Sequence, residues 1–344
     1  MLYVTTRNNR DAYTAQRALR ENRGPDGGLY VPFREPQFTP EEISALAEKS
    51  FNKCVADVLN VLFNAKLTPW DVDFAIGRYA VRLQKLGQRV VMAETWHNLE
   101  SDFSRLVENL TKCLRGDEVE AQPGDWAEIG VRIAVLFGIF GELMREGIAG
   151  GDSKVDISVV SGDFSAPLSV WYARKWGLPI GNIVCACNEY GNLWDFICHG
   201  QLRTSDVAVK TVTPEADVVV PTSLERLIHG CAGVQEAARY VETVRRGGTY
   251  YVEDALLRRL RQGIYVTVTS QRRVVSTIPS VYATHKYLLS PCSALAYAGL
   301  QDYRSRTGES RPALVLAEKS PLRDAETVAN ALGISIDKLT THFD

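Results

Sequence analysis

Four side chains that lie close in sequence, Cys185, Cys187, Cys198 and His199, form a grouping with metal-ligand character. A structural zinc site draws its four ligands from pairs with C-x-x-C or similar spacing. Here Cys185 and Cys187 alternate along the apolar run 182–186 and its continuation, and residues two apart on a strand point to the same face. Both are expected to be small buried hydrophobes, and no metal is expected. The other conspicuous pairs are basic: Arg245 with Arg246, Arg258 with Arg259, and Arg272 with Arg273. Such doublets could hold an anionic partner, and their commoner use is a solvated helix face.

The chain has 344 residues, more than one core usually supports, which predicts layered α/β domains sharing a cleft. It is 45% hydrophobic and 23% charged, with 39 basic against 41 acidic side chains. That balance is ordinary for a soluble globular protein and gives no reason to expect nucleic acid as a partner. Seven cysteines without paired spacing fit a reducing compartment. The first ten residues carry no apolar run before a cleavage site, and no stretch has the eighteen or so apolar residues of a membrane span. A cytoplasmic location without membrane contact is therefore expected.

The elements that must position any site follow from periodicity. A strand is expected at Leu2 to Thr5, a helix at Asp11 to Glu21, and a turn cluster at Pro25 to Pro32 that enters an extended stretch. Helices are expected at Pro40 to Lys49, Cys54 to Phe63 and Pro69 to Lys85. Buried strands are expected at Arg89 to Ala93, Asp156 to Val160, Asn182 to Ala186 and Ala313 to Ala317. Between them the pattern gives helices at Asp102 to Leu114, Trp126 to Arg145, Pro167 to Trp176, Ser223 to Gly230, Val234 to Arg245 and Pro291 to Arg304. Such alternation predicts an α/β fold with a largely parallel sheet. The segment 247–280 reads as mixed strand and helix.

Several blocks, in a fixed order, resemble the threonine synthase family of fold type II pyridoxal-phosphate enzymes. Pro25-Asp26-Gly27-Gly28-Leu29-Tyr30-Val31-Pro32 is similar to an N-terminal motif of that family. Ser161-Gly162-Asp163-Phe164, running into Tyr172 to Ile180, resembles its S-G-N-F-G-N loop and following helix. Cys187-Asn188-Glu189, Pro221 to Leu227, Tyr287 to Tyr297 and Leu314 to Ile334 resemble later blocks. The resemblance covers residues 1–80 and 124–340. It implies a tryptophan synthase β-like architecture of largely parallel sheets flanked by helices. It also implies an N-terminal region at 1–68, a reduced small domain at 69–123 and a large α/β domain at 124–344. Between Ala93 and Trp126 there is room for little more than one helix, so the small domain is expected to be truncated.

The same resemblance implies the site residues, and there the chain departs from the family. Aligned on Asp73-Phe74-Ala75, the Schiff-base lysine position falls on Val72, which has no amine. The nearest substitute is Lys66, and a solvated surface lysine is its plainer reading. The phosphate loop becomes Ser161, Gly162, Asp163, Phe164 and Ser165, followed by Ala166-Pro167. A carboxylate at Asp163 would repel a phosphate. The family's carboxylate-clasping loop is matched by Thr95, Trp96, His97 and Asn98, whose aromatic members either pack or line a new cleft. Glu318 stands where the family places a threonine near the cofactor ring, and it either pairs with Lys319 or faces a ligand.

The resulting expectation is a threonine synthase-like protein that has lost pyridoxal-phosphate catalysis, most simply with no cofactor, whose cleft takes an unidentified small molecule or a homologous protein. Two alternatives stay open. One is an active threonine synthase, a lyase converting O-phosphohomoserine to threonine with pyridoxal phosphate and a replacement lysine such as Lys66. The other is a regulatory or structural subunit of a true threonine synthase, with an oligomer as its working form.

Overall fold

The computed structural model describes residues 1–76, 81–96, 103–116, 124–150 and 153–341. β1 (Leu2–Thr5), β2 (Asn8–Thr14) and β3 (Tyr30–Pro32) form a three-stranded antiparallel sheet in the order β2-β1-β3. The helix expected from Asp11 begins later, as α1 (Ala15–Arg20). Residues 11–14 are instead strand, because Tyr13 pairs with Tyr3 and Thr14 with Leu2 across the hairpin. Thr14 then caps α1 by accepting from the Arg17 N–H.

Next come α2 (Pro40–Ser44), α3 (Phe51–Phe63) and α4 (Pro69–Ile76). The helix expected to reach Lys85 stops short of it. Residues 82–86 form β4 (Arg82–Leu86), antiparallel to β5 (Val90–Glu94) across a turn at Gly87, whose φ of +69° suits glycine. Arg82 and Lys85, which fall within the expected helix, are the exposed charges of an edge strand.

The rest of the chain alternates. It runs through α5 (Phe103–Arg115), α6 (Trp126–Arg145), β6 (Val155–Val160), α7 (Ser165–Lys175), β7 (Ile180–Asn188), α8 (Leu193–His199) and β8 (Gln201–Arg203). It continues with α9 (Leu224–Ala232), α10 (Val234–Arg245), β9 (Thr249–Tyr251), α11 (Asp254–Leu260), β10 (Ile264–Thr269) and α12 (Gln271–His285). It ends with α13 (Pro291–Thr307), β11 (Ala313–Ala317), α14 (Ala325–Leu332) and α15 (Ile336–Thr340). The segment left as mixed thus holds β9, α11, β10 and the start of α12.

The main sheet has the order β10-β7-β6-β11-β5-β4, parallel except for β4. β4 and β5, from the segment assigned to a reduced small domain, therefore share one sheet with β6, β7, β10 and β11. Successive side chains alternate between two buried layers: Ile183, Cys185 and Cys187 join the core that contains α3, α6 and α7 residues, while Val184 and Ala186 join the core that contains α12, α13 and α14 residues. After β6 the chain turns to α7 on the first face; after β11 it turns to α14 on the second. Adjacent parallel strands whose following segments part in this way open a crevice at their carboxyl ends, where ligands of open α/β sheets bind. No described helix is long and apolar enough to cross a membrane.

Candidate functional site

The crevice lies at the ends of β5, β11 and β6, and the sequence places a candidate on each. Beyond β6 the chain must reverse sharply into α7. Gly162 takes φ +45°, with the Glu215 carbonyl oxygen 3.2 Å from where a Cβ would stand. Phe164 takes φ +69°, unusual for a residue with a side chain, and buries its ring completely. That backbone conformation costs about 1–2 kcal/mol, which full burial of a phenyl ring offsets.

The turn aims Asp163 back at the start of α7. Its carboxylate accepts from the Ser165 backbone N–H at 3.0 Å and from the Ser165 hydroxyl at 2.6 Å. Ser165 Oγ also lies 3.0 Å from Ser223 Oγ, and the Ser223 N–H donates to the Asp163 carbonyl at 3.0 Å. An anion is favoured at a helix N-terminus by free N–H groups and the helix dipole. At α7 the chain's own carboxylate fills that role, and Pro167 in the first turn has no N–H to offer.

Glu318, just past β11, is held by Arg132 of α6 at 2.6 Å, and Arg132 also binds Glu128 one turn away at 2.8 Å. The second Glu128 oxygen accepts from the Gly124 N–H at 2.6 Å. Burial works against the Arg132 charge, yet Glu318 and then Glu128 raise its pKa above the ordinary arginine value. Burial pushes the Glu128 carboxyl up. The expected Glu318–Lys319 pair is thus replaced by two separate contacts, because consecutive residues leaving a strand point to opposite sides. Lys319 binds Glu215 at 2.8 Å and Asp324 at 3.0 Å. Glu215 in turn accepts from the Cys292 thiol at 2.8 Å, and burial followed by this carboxylate drives the thiol pKa well up.

Thr95, beyond β5, gives both its N–H (2.9 Å) and its hydroxyl (3.3 Å) to the Ala317 carbonyl, prolonging the β5–β11 pairing. Trp96 is half-buried. His97 and Asn98 lie outside the described residues. The structure therefore gathers Ser161 to Ser165, Thr95 and Glu318 at adjoining strand ends, and Val72 and Lys66 are not among them. Val72 on α4 is fully buried in the core, and Lys66 is exposed in the turn before α4, where Asn60 clamps Leu67 through two 2.8 Å bonds.

Arg132, Glu128, Glu215, Asp324 and Cys292 were not read as site residues from the sequence. The signal for the first two was a charged pair set into an otherwise apolar stretch of α6. Cys185 and Cys187 are buried as expected, and no group of metal-ligating side chains occurs among the described residues. Glu225 and Arg226 fasten the N-terminal sheet to the crevice. Glu225 accepts from Thr6 and Arg7, while Arg226 donates to the Tyr30 carbonyl at 2.9 Å and the Gly124 carbonyl at 2.6 Å.

The doubly flanked, mostly parallel sheet is an architecture that this chain shares with solved threonine synthases. Structural neighbours agree: pyridoxal-phosphate-bound threonine synthase from Brucella melitensis superposes with a TM-score of 0.85 at 20% identity, over 97% of this chain and 92% of that one. Yeast threonine synthase gives a TM-score of 0.86 at 17% identity, over 98% and 91%.

Residues 2–78 match the family model described as the threonine synthase N terminus. Threonine synthase of Pseudomonas aeruginosa is 23% identical over 432 aligned positions, covering 96% of this chain and 90% of the relative. That alignment is longer than the 344-residue chain, so the relative carries segments without a counterpart here. Human threonine synthase-like 1 is 28% identical over 176 residues, half of this chain. The chain spans about a quarter of the length of that relative, 24%. In its N-terminal region, its relatives and its fold, the chain is similar to the threonine synthases and threonine synthase-like proteins.

Proposed function

We propose that this chain is a threonine synthase-like protein that has given up pyridoxal-phosphate catalysis and keeps the crevice for another ligand or a protein partner. The observation that carries this reading is the Asp163 carboxylate bound to the Ser165 N–H and hydroxyl. By the family resemblance, those donors belong to the cofactor's phosphate.

The residues present do not fit pyridoxal phosphate in two further respects. A Schiff-base lysine must sit where its amine is fixed and at least partly desolvated. Val72 occupies the family position and supplies no amine, and Lys66 is exposed. Lys319, beside the crevice, is engaged by Glu215 and Asp324; burial works against its charge, and these two carboxylates outweigh it and raise the amine pKa, the opposite of the lowering that frees a lysine for attack. The charge that a bound cofactor would bring is supplied inside the crevice by paired side chains.

The test is direct: the purified chain is mixed with excess pyridoxal phosphate, desalted, scanned for visible absorbance, reduced with borohydride and mapped by peptide mass. The expected result is a blank spectrum with no lysine modified in stoichiometric yield. A stable band with one modified lysine would overturn the proposal and name the nucleophile of an active threonine synthase.

A further inference from the structure

Helix α4 turns Val72 and Ile76 into the core, and among the described residues nothing covers its opposite face. Trp70 and Phe74 stand one turn apart on that face, 81% and 92% exposed. At 100° per residue Asp73 lies about 60° to one side of Trp70 and Phe74 about 40° to the other; Asp73 too is exposed and accepts from the Asn52 amide of α3 at 3.2 Å. The helix that carries them is held in place. Thr68 and Asp71 cap the helix reciprocally, with the Thr68 N–H and hydroxyl each 2.7 Å from the Asp71 carboxylate, and α3 and α5 brace it from behind. Rigid, fully presented aromatic rings are the usual anchors of a protein interface and are costly to leave in water. Lys66, three residues before the helix in the turn that leads into it, is also exposed.

We propose that this face is the contact between two copies of the chain, related by a two-fold axis that lays α4 antiparallel on its counterpart. The charge pattern selects a second copy as the occupant. An axis close to Trp70 sets Lys66 of one copy opposite Asp73 of the other, twice, whereas a parallel arrangement would put like charge against like. Trp70 meets the other copy's Trp70 near the axis, and each Phe74 rests on the other copy's 65–66 segment. Such an isologous contact closes on itself and needs no further partner. Four rings bury roughly 600–1,000 Å² at 150–250 Å² each, which with the flanking side chains reaches the low end of specific interfaces, about 1,200 Å². The dimer is accordingly concentration-dependent, in the micromolar range.

The test is sedimentation equilibrium of the full chain from about 1 to 300 µM, a range that brackets micromolar affinity. The mass should rise from monomer to dimer. Trp70→Ser and Phe74→Ser should each weaken association by roughly 30-fold or more, with an unchanged circular dichroism spectrum because both rings are already exposed. Lys66→Glu and Asp73→Lys should each weaken it about 3- to 10-fold, and the two together, with the charges exchanged, should restore it. A chain that stays monomeric throughout, a dimer indifferent to Trp70→Ser, or a charge-exchanged double variant no better than the singles would each overturn the proposal.

Discussion

Replacing Asp163 by asparagine tests whether the crevice excludes phosphate because it already holds an anion. A phosphate seated on the Ser165 N–H would stand roughly 4 Å from the carboxylate, and two unit charges at that distance repel by about 4 kcal/mol at an effective dielectric near 20. At 1.4 kcal/mol per decade, that corresponds to roughly 10³-fold in affinity. Asp163→Asn removes the charge but leaves an oxygen for the two Ser165 donors, so the fold should lose only about 1–2 kcal/mol as charged hydrogen bonds become neutral ones. Calorimetric titration with inorganic phosphate, and separately with pyridoxal phosphate reduced at its aldehyde, should show no binding to the native chain and at least about 100-fold tighter binding to the variant, allowing for side-chain adjustment. Submillimolar binding by the native chain, or a variant as inert as the native chain, would show that the carboxylate is not what keeps phosphate out.

Other outcomes follow from the same contacts. Arg132→Leu strands Glu128 and Glu318 together and should cost about 3–5 kcal/mol in urea unfolding, whereas Glu318→Leu should cost less because Arg132 keeps Glu128. Burial raises the Glu94 carboxyl pKa, opposed by the Tyr287 hydroxyl and Arg82. Between the ordinary glutamate value of 4.5 and that raised value, the folded chain keeps a proton the unfolded chain has lost, so this group's share of stability falls as pH rises through the window. Glu94→Gln should flatten that part of the pH–stability curve and raise the melting temperature above it. Burial pushes the Cys54 thiol up to about 11 and Cys187 up to about 12, and drives Cys185 and Cys292 well up. A thiol reagent at neutral pH should therefore label these four only after unfolding, which stopped-flow labelling with and without urea will show.

What the sequence disclosed depended on where each strand sits. β5, β6, β7 and β11 are covered on both faces, so they appear as continuous apolar runs and were located within a residue or two. β2 and β4 are edge strands with mostly exposed residues. Their charged and polar side chains give no apolar strand run, so residues 11–14 and 82–85 fell within expected helices, and hairpin pairing decided otherwise. In the crevice, the loop 161–165 and Glu318 could be found because each follows a buried strand within an ordered set of motifs. Arg132 could not be connected to Glu318 across the 186 residues that separate them. The apolar stretch around Glu128 and Arg132 marks them as an unusual pair, but the spacing of four alone is that of an ordinary helix pair, and only the meeting of α6 with the end of β11 brings Glu318 to Arg132.

The crevice also shows how a ligand-binding architecture can be made stable in its own right. Parallel strand ends and helix N-termini leave polar groups that must be satisfied by a ligand, by water or by the chain. Here the chain provides partners. Asp163 serves the start of α7, Arg132 bridges Glu128 and Glu318, and Lys319 lies between Glu215 and Asp324. A fold that depends on its cofactor gains stability with ligand concentration as RT ln(1 + [L]/Kd). A crevice satisfied internally gains nothing from the same ligand. On the proposed reading, the native chain should unfold at the same temperature with and without saturating pyridoxal phosphate. A rise of several degrees would mean that these internal pairs open to admit the cofactor and do not replace it.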